Sequence, residues 1–174
     1  MPGVTRSGGF TIGFRRGWSD WQKDVAAVVK FAKTNGFGAV DVGRDGDVAG
    51  KAVKAGGLKV GSVDLADWNG MLSPDKAKRQ AAVKKNAAYV KACGAALGPV
   101  NHFIVMLPED PAKPRAENFA FMVESFKALA PAFEAAKAKL AIEAGRAPAR
   151  WSLVRIWWNR QTKRSRQSRL SNGV

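Results

Sequence analysis

Short apolar runs alternate with helical stripes along the first 145 residues. FTIGF (10–14) is a β-rich run. Ser19, with Gln22 three residues on, has the form of a capping box. Trp21, Val25, Val28, Val29 and Ala32 then recur at helical spacing until Asn35-Gly36 stops the helix. GAVDVG (38–43) predicts a second strand, DVAGKAVKAGG (47–57) a short helix ending in two glycines, and LKVGSVDL (58–65) a third strand. A longer helix is predicted over 73–98, with Ser73 as its cap, Pro74 at its first position and Gly98-Pro99 closing it. Its inner stripe reads Val83, Ala87, Val90, Gly94 and Leu97. HFIVMLP (102–108) is nearly continuously apolar, as a strand covered on both faces should be. Phe119, Met122, Val123, Phe126, Leu129 and Phe133 stripe a fourth helix, which Pro131 should kink or shorten by a turn. KLAIE (139–143) is the fifth strand.

Strands alternating with helices imply parallel βαβ units in an α/β domain. The pitch of roughly 30 residues per unit suits both a doubly wound sheet and a TIM barrel. No G-x-G-x-x-G follows the first strand, which removes the main local support for a dinucleotide-binding fold. A whole barrel takes about 250 residues and eight units, so a barrel reading of this chain is a partial one.

Charge divides the chain in two. The net charge of +15 would ordinarily point to a nucleic-acid or anionic-membrane partner. Residues 146–174, however, hold 8 of the 29 lysines and arginines, 3 of the 6 tryptophans and none of the 14 acids. The expected organisation is therefore an α/β domain over 9–145 and a basic Arg/Trp-containing tail over 146–174. Three readings of the tail stay open: an arm for nucleic acid or anionic lipid, a disordered extension, or non-native sequence from a frameshift. WSLVRIWW (151–158) would serve as a makeshift strand or as an amphipathic helix. The lone Cys93, no signal-like leader and no long apolar stretch predict a reduced, cytoplasmic setting.

FTIGFRRGWSDW, FGAVDVG, LKVGSVDLADWNGMLSPDK and KLAIE, in this order, resemble the xylose-isomerase-like TIM-barrel family of sugar phosphate isomerases and epimerases. The likeness covers about residues 9–144. It implies a partial TIM barrel of four βα units plus a fifth parallel strand, followed by the non-barrel tail. It implies a sugar or sugar phosphate as ligand and aldose-ketose isomerisation or epimerisation through an enediolate. It further implies a divalent metal (Mn, Mg, Co or Zn), with Glu143 at the end of AIE as a ligand and catalytic base. The family's remaining ligands, an Asp, a His and a second Glu on later strands, have no match, because no Asp, Glu or His follows Glu143. The resemblance therefore implies a truncated, inactive relative. The apurinic-endonuclease branch needs several histidines, and this chain has one.

Several other side chains fall near strand ends, where barrel sites are built. Arg15, Arg16 and Trp18 follow the first strand, and either arginine suits a substrate phosphate or a solvated loop. Asp64, Asp67 and Trp68 lie at or after the third strand; they suit sugar hydroxyls and an aromatic wall, or, for Asp67, Asn69 and Trp68, the shaping of a loop. Asp41 suits an interior hydrogen bond or catalysis equally. His102 opens the fourth strand, at the end opposite Glu143, and reads as a structural or exposed histidine, while Cys93 packs as a small apolar residue. A barrel left open has unpaired strand edges, so self-association is also expected.

Overall fold

The computed structural model describes residues 10–144. The predicted tail at 146–174, including WSLVRIWW, lies outside the described residues. Five strands, β1 (Gly13–Arg15), β2 (Ala39–Val42), β3 (Lys59–Asp64), β4 (Asn101–Met106) and β5 (Lys139–Ala144), form one sheet in the order β1-β2-β3-β4-β5. Every neighbouring pair is parallel. Sequential order means the chain winds in one direction only, unlike a doubly wound sheet, whose order reverses at a switch point. Right-handed crossovers then place all the helices on one face.

The helices are α1 (Asp20–Lys23), α2 (Val25–Thr34), α3 (Gly46–Ala55), α4 (Lys76–Leu97) and α5 (Arg115–Ala135), with a 3-10 turn at Gly70–Leu72. Two apolar clusters fill the space between helices and sheet. Val28, Val40, Val42, Val53, Val63 and Cys93 centre the first; Leu65, Met71, Val90, Ile104, Leu129 and Phe133 centre the second. Alternation along the strands sends the intervening side chains to the opposite face, among them Arg15, Asp41, Asp64, Phe103 and Glu143. On that face Ser62 Oγ donates to Asp41 at 3.0 Å. β3 carries one extra residue where the register shifts between Val40 and Val42. A Cβ at Gly61, at that shift, would lie 2.4 Å from the Asp41 carboxylate, which would have to move aside.

Several boundaries depart from the sequence reading. β1 begins at Gly13 instead of Phe10, and Phe10 and Ile12 are exposed. The helix expected from Ser19 is two helices. The Ser19 hydroxyl bonds the Gln22 side chain instead of capping backbone. Asp24 caps α2 by accepting the Ala26 amide at 2.8 Å. α4 starts two residues beyond Pro74, because Asp75 is its cap, accepting from the Ala77 and Lys78 amides. Its buried face is Arg79, Ala82, Asn86, Val90, Cys93 and Leu97. Two of these are polar and bond neighbouring loops, so a search for apolar periodicity places the stripe on its shoulder, where Val83 and Ala87 are partly buried. α5 runs through Pro131 to Ala135 without being split. Among the described residues no helix is long and apolar enough to cross a membrane.

Candidate functional site at the strand ends

In parallel α/β folds the C-terminal ends of the strands and the loops after them are where ligands bind. Arg15 ends β1 and Asp64 ends β3. The Arg15 guanidinium reaches across β2, donating through Nη2 to both Asp64 oxygens at 3.0 Å. Asp64 is 1% exposed and the Arg15 side chain 44%. Burial pushes the Asp64 carboxyl above the usual carboxylate range, and Arg15 pulls it part of the way back.

Aromatic rings surround this pair. The Arg15 guanidinium stands 5.0 Å over the Phe103 ring, Trp68 meets Phe103 edge-on at 6.4 Å, and the Arg44 guanidinium lies 4.8 Å over Trp68. A cavity of about 440 Å³ opens beside Asp64, lined by Arg16, Trp18, Lys23, Arg44 and Asp45 along with it. Trp18 is 79% exposed. Arg16 is fully engaged as a brace: Nη1 holds both Asp45 oxygens at 2.9 and 2.7 Å, and Nε holds the Gln22 carbonyl at 2.7 Å. It ties the loop after β1 to the loop after β2.

Asp67 shapes the loop after β3. Its carboxylate accepts the Gly70 amide at 2.9 Å, and its backbone exchanges two bonds with the buried Asn86 side chain. Trp68 packs against the second core cluster. Its indole N–H is buried and has no acceptor among the described residues.

Glu143 is exposed on β5, opposite Val105 in register. Asp64 aligns with Phe103 and Phe103 with Ala141. Glu143 is thus two strands across from Asp64 and two residues further along, roughly 12 Å away in backbone terms. Among the described residues no three His, Cys, Asp or Glu side chains come close enough to hold a metal ion. Asp64, the one buried carboxylate at the site, is held by Arg15. This donor set does not fit a divalent metal.

His102 lies on the helix side of β4, fully buried between Tyr89 and Phe133 with ring centroids 6.2 and 5.3 Å away. Burial lowers its pKa to about 4, and neither ring nitrogen has a partner among the described residues. Cys93 is buried too, its thiol pushed up to about 11 by burial. Neither belongs to the strand-end site.

The chain superposes on 3-keto-D-glucoside 4-epimerase from E. coli with a TM-score of 0.60 at 14% identity, covering 76% of this chain and 55% of that one. The fold is a partial TIM barrel. Protein SMc04130 from Sinorhizobium meliloti 1021 gives 0.59 at 24% identity, over 76% of this chain and 50% of the other. Mannonate dehydratase from Streptococcus suis serotype 2 gives 0.57 at 17%, over 78% and 53%. The chain spans about half the length of these structures. No family model and no curated protein sequence matches it.

Sequence reasoning named Arg15, Trp18, Asp64 and Trp68, and the structure gathers all four around the β1–β3 strand ends. It missed Arg44, Asp45 and Phe103. Arg44 and Asp45 directly follow β2, so their strand-end position was a legible signal. Phe103 sat unnoticed within a run that read as core.

Proposed function

We propose that the strand-end face of this partial barrel binds a sugar or sugar phosphate, in the manner of an isomerase- or epimerase-like domain. The observation that carries this reading is the Arg15–Asp64 pair set among Phe103, Trp68 and Trp18 beside an open cavity. Carboxylates accept sugar hydroxyls, guanidinium groups donate to sugar oxygens, and aromatic faces pack against the C–H faces of the ring. The sugar-enzyme neighbours support it. Glu143 is the carboxylate for proton abstraction next to a carbonyl, exposed and without a bonded partner among the described residues.

Calorimetric titration with a panel of aldoses, ketoses and their phosphates tests the reading. Saturable binding that Asp64→Asn weakens at least about tenfold is expected, the loss of a charge-assisted bond. Absence of binding across the panel, or binding indifferent to Asp64→Asn, contradicts it.

One sequence observation carries an alternative, namely the acid-free tail over 146–174. Under it the tail contacts nucleic acid or an anionic surface. Polyanion binding that falls steeply with salt and disappears when 146–174 is deleted would favour that role.

A further inference from the structure

Most of the ionic groups that line the cavity are held in ion pairs. Arg16 is matched by Asp45, Lys23 by Asp20, and Asp64 by Arg15. Arg44 lines the same cavity, yet among the described residues no carboxylate lies within ion-pair distance of it. Its charge acts on Asp64 from a distance without an ion pair, and the cavity lining, Arg16, Lys23 and Arg44 against Asp45 and Asp64, keeps one positive charge in excess.

Arg44 is also held in place. Asp45, the next residue, is clamped by Arg16. The Gly46 amide donates to the Tyr89 hydroxyl at 2.7 Å. Gly46 must be glycine for that approach, because a Cβ there would lie 2.2 Å from a Val63 methyl and 3.0 Å from the Tyr89 oxygen. The guanidinium lies over the face of Trp68. Its five N–H groups point outward in its own plane. The indole contact restrains the group, and no hydrogen bond among the described residues uses its donors. The result is an oriented, exposed guanidinium with its hydrogen-bonding edge free, which is the arrangement that takes a planar or tetrahedral oxyanion by paired bonds.

We propose that Arg44 is the anion-recognition residue of this cavity, so that its ligand carries a phosphoryl or carboxylate group. This rests on the sugar-binding reading for the rest of the ligand and sharpens it: the substrate is an anionic sugar, a phosphate ester or a sugar acid, in preference to a neutral one. Arg15 and Arg16, the phosphate candidates suggested by sequence, are both committed to carboxylates.

The test uses the full chain at constant ionic strength. Inorganic phosphate, acetate and a panel of neutral sugars are titrated separately, with tryptophan fluorescence and calorimetry as readouts. The expected result is saturable binding of at least one anion, weakened about tenfold or more by Arg44→Gln, the loss of one charge-assisted bond. Lys113→Gln, which removes a distant cation in the loop before α5 paired with Glu117, should leave it unchanged. Whichever anion binds more tightly assigns the group as phosphoryl or carboxylate. Arg44 is exposed, so the variant should keep the parent melting temperature. No saturable response to either anion, or one that Arg44→Gln leaves intact, overturns the proposal. Neutral sugars binding while neither anion does leaves the sugar reading standing and removes this one. Anions binding through Arg44 while no neutral sugar does supports this one; sugar phosphates and sugar acids are then titrated, and if none binds more tightly than the bare anions the sugar reading is removed while the anion site stands.

Discussion

Asp64 and His102 are two fully buried polar side chains in neighbouring strands with opposite arrangements. Asp64 faces the open side and has a guanidinium partner; His102 faces the helices and has none among the described residues. The histidine therefore stays neutral in the folded chain, with a pKa of about 4 against about 6.5 when unfolded. Its folded value is depressed, so its contribution is complete above pH 6.5. It is lost progressively as the pH falls toward 4, where the unfolded chain binds the proton and the folded one does not. By pH 5 the loss is about 2 kcal/mol. Urea unfolding should show this component at pH 5 relative to pH 8 in the parent and lack it in His102→Leu; identical pH profiles would refute it. At this scale the sequence revealed which residue types sit near strand ends but not how they pair. Arg15 and Asp64 are 49 residues apart, and only the parallel register brings them together. Asp67 and Asn86 were equally illegible as partners, since a buried asparagine leaves no mark in an apolar pattern.

Elements were more readable than contacts. All five strands and the longer helices fall where apolar runs and stripes put them, because a parallel sheet covered on one face by helices imposes both periods on the sequence. Errors concentrate at helix starts. Serine and aspartate both cap helices: Ser19 stands at the N-cap of α1 without a side-chain bond to the backbone, Asp24 caps the second helix α2, and Asp75 caps α4 in place of Ser73. Asp75→Ala should cost about 1 kcal/mol in chemical denaturation, whereas a cap at Ser73 would leave Asp75→Ala near neutral. Pro131 misled differently. It is exposed on α5, and packing of Leu129 and Phe133 on either side holds the helix through it. Pro131→Ala should therefore stabilise the chain by about 2 kcal/mol: the helix-interior penalty of about 3 is relieved and up to about 1 is given back to the unfolded chain. A destabilised variant in thermal melts would mean that α5 needs its proline.

For the whole molecule, alternation alone left a barrel and a doubly wound sheet both standing. The choice lies in strand order, which periodicity does not encode; the family resemblance read from the sequence pointed to the barrel, and the sequential parallel pairing agrees. Within the described sheet β1 and β5 are each paired on one side only. Unpaired strand edges recruit other strands, and we propose self-association through these two edges. Light scattering across a dilution series should give a mass that rises with concentration, and a monodisperse monomer throughout would contradict this. The reading of a metal-binding relative rested on resemblance at Glu143, and the described donors do not assemble a site around it. Manganese titration should accordingly give no tight, saturable heat.

Residue-resolved NMR during a sugar or sugar phosphate titration tests the central claim most directly. The account predicts saturable shifts at Arg15, Arg44, Asp64 and Trp68, abolished in Asp64→Asn. Shifts confined to the opposite ends of the strands, or no shifts with any sugar or sugar phosphate, would contradict it.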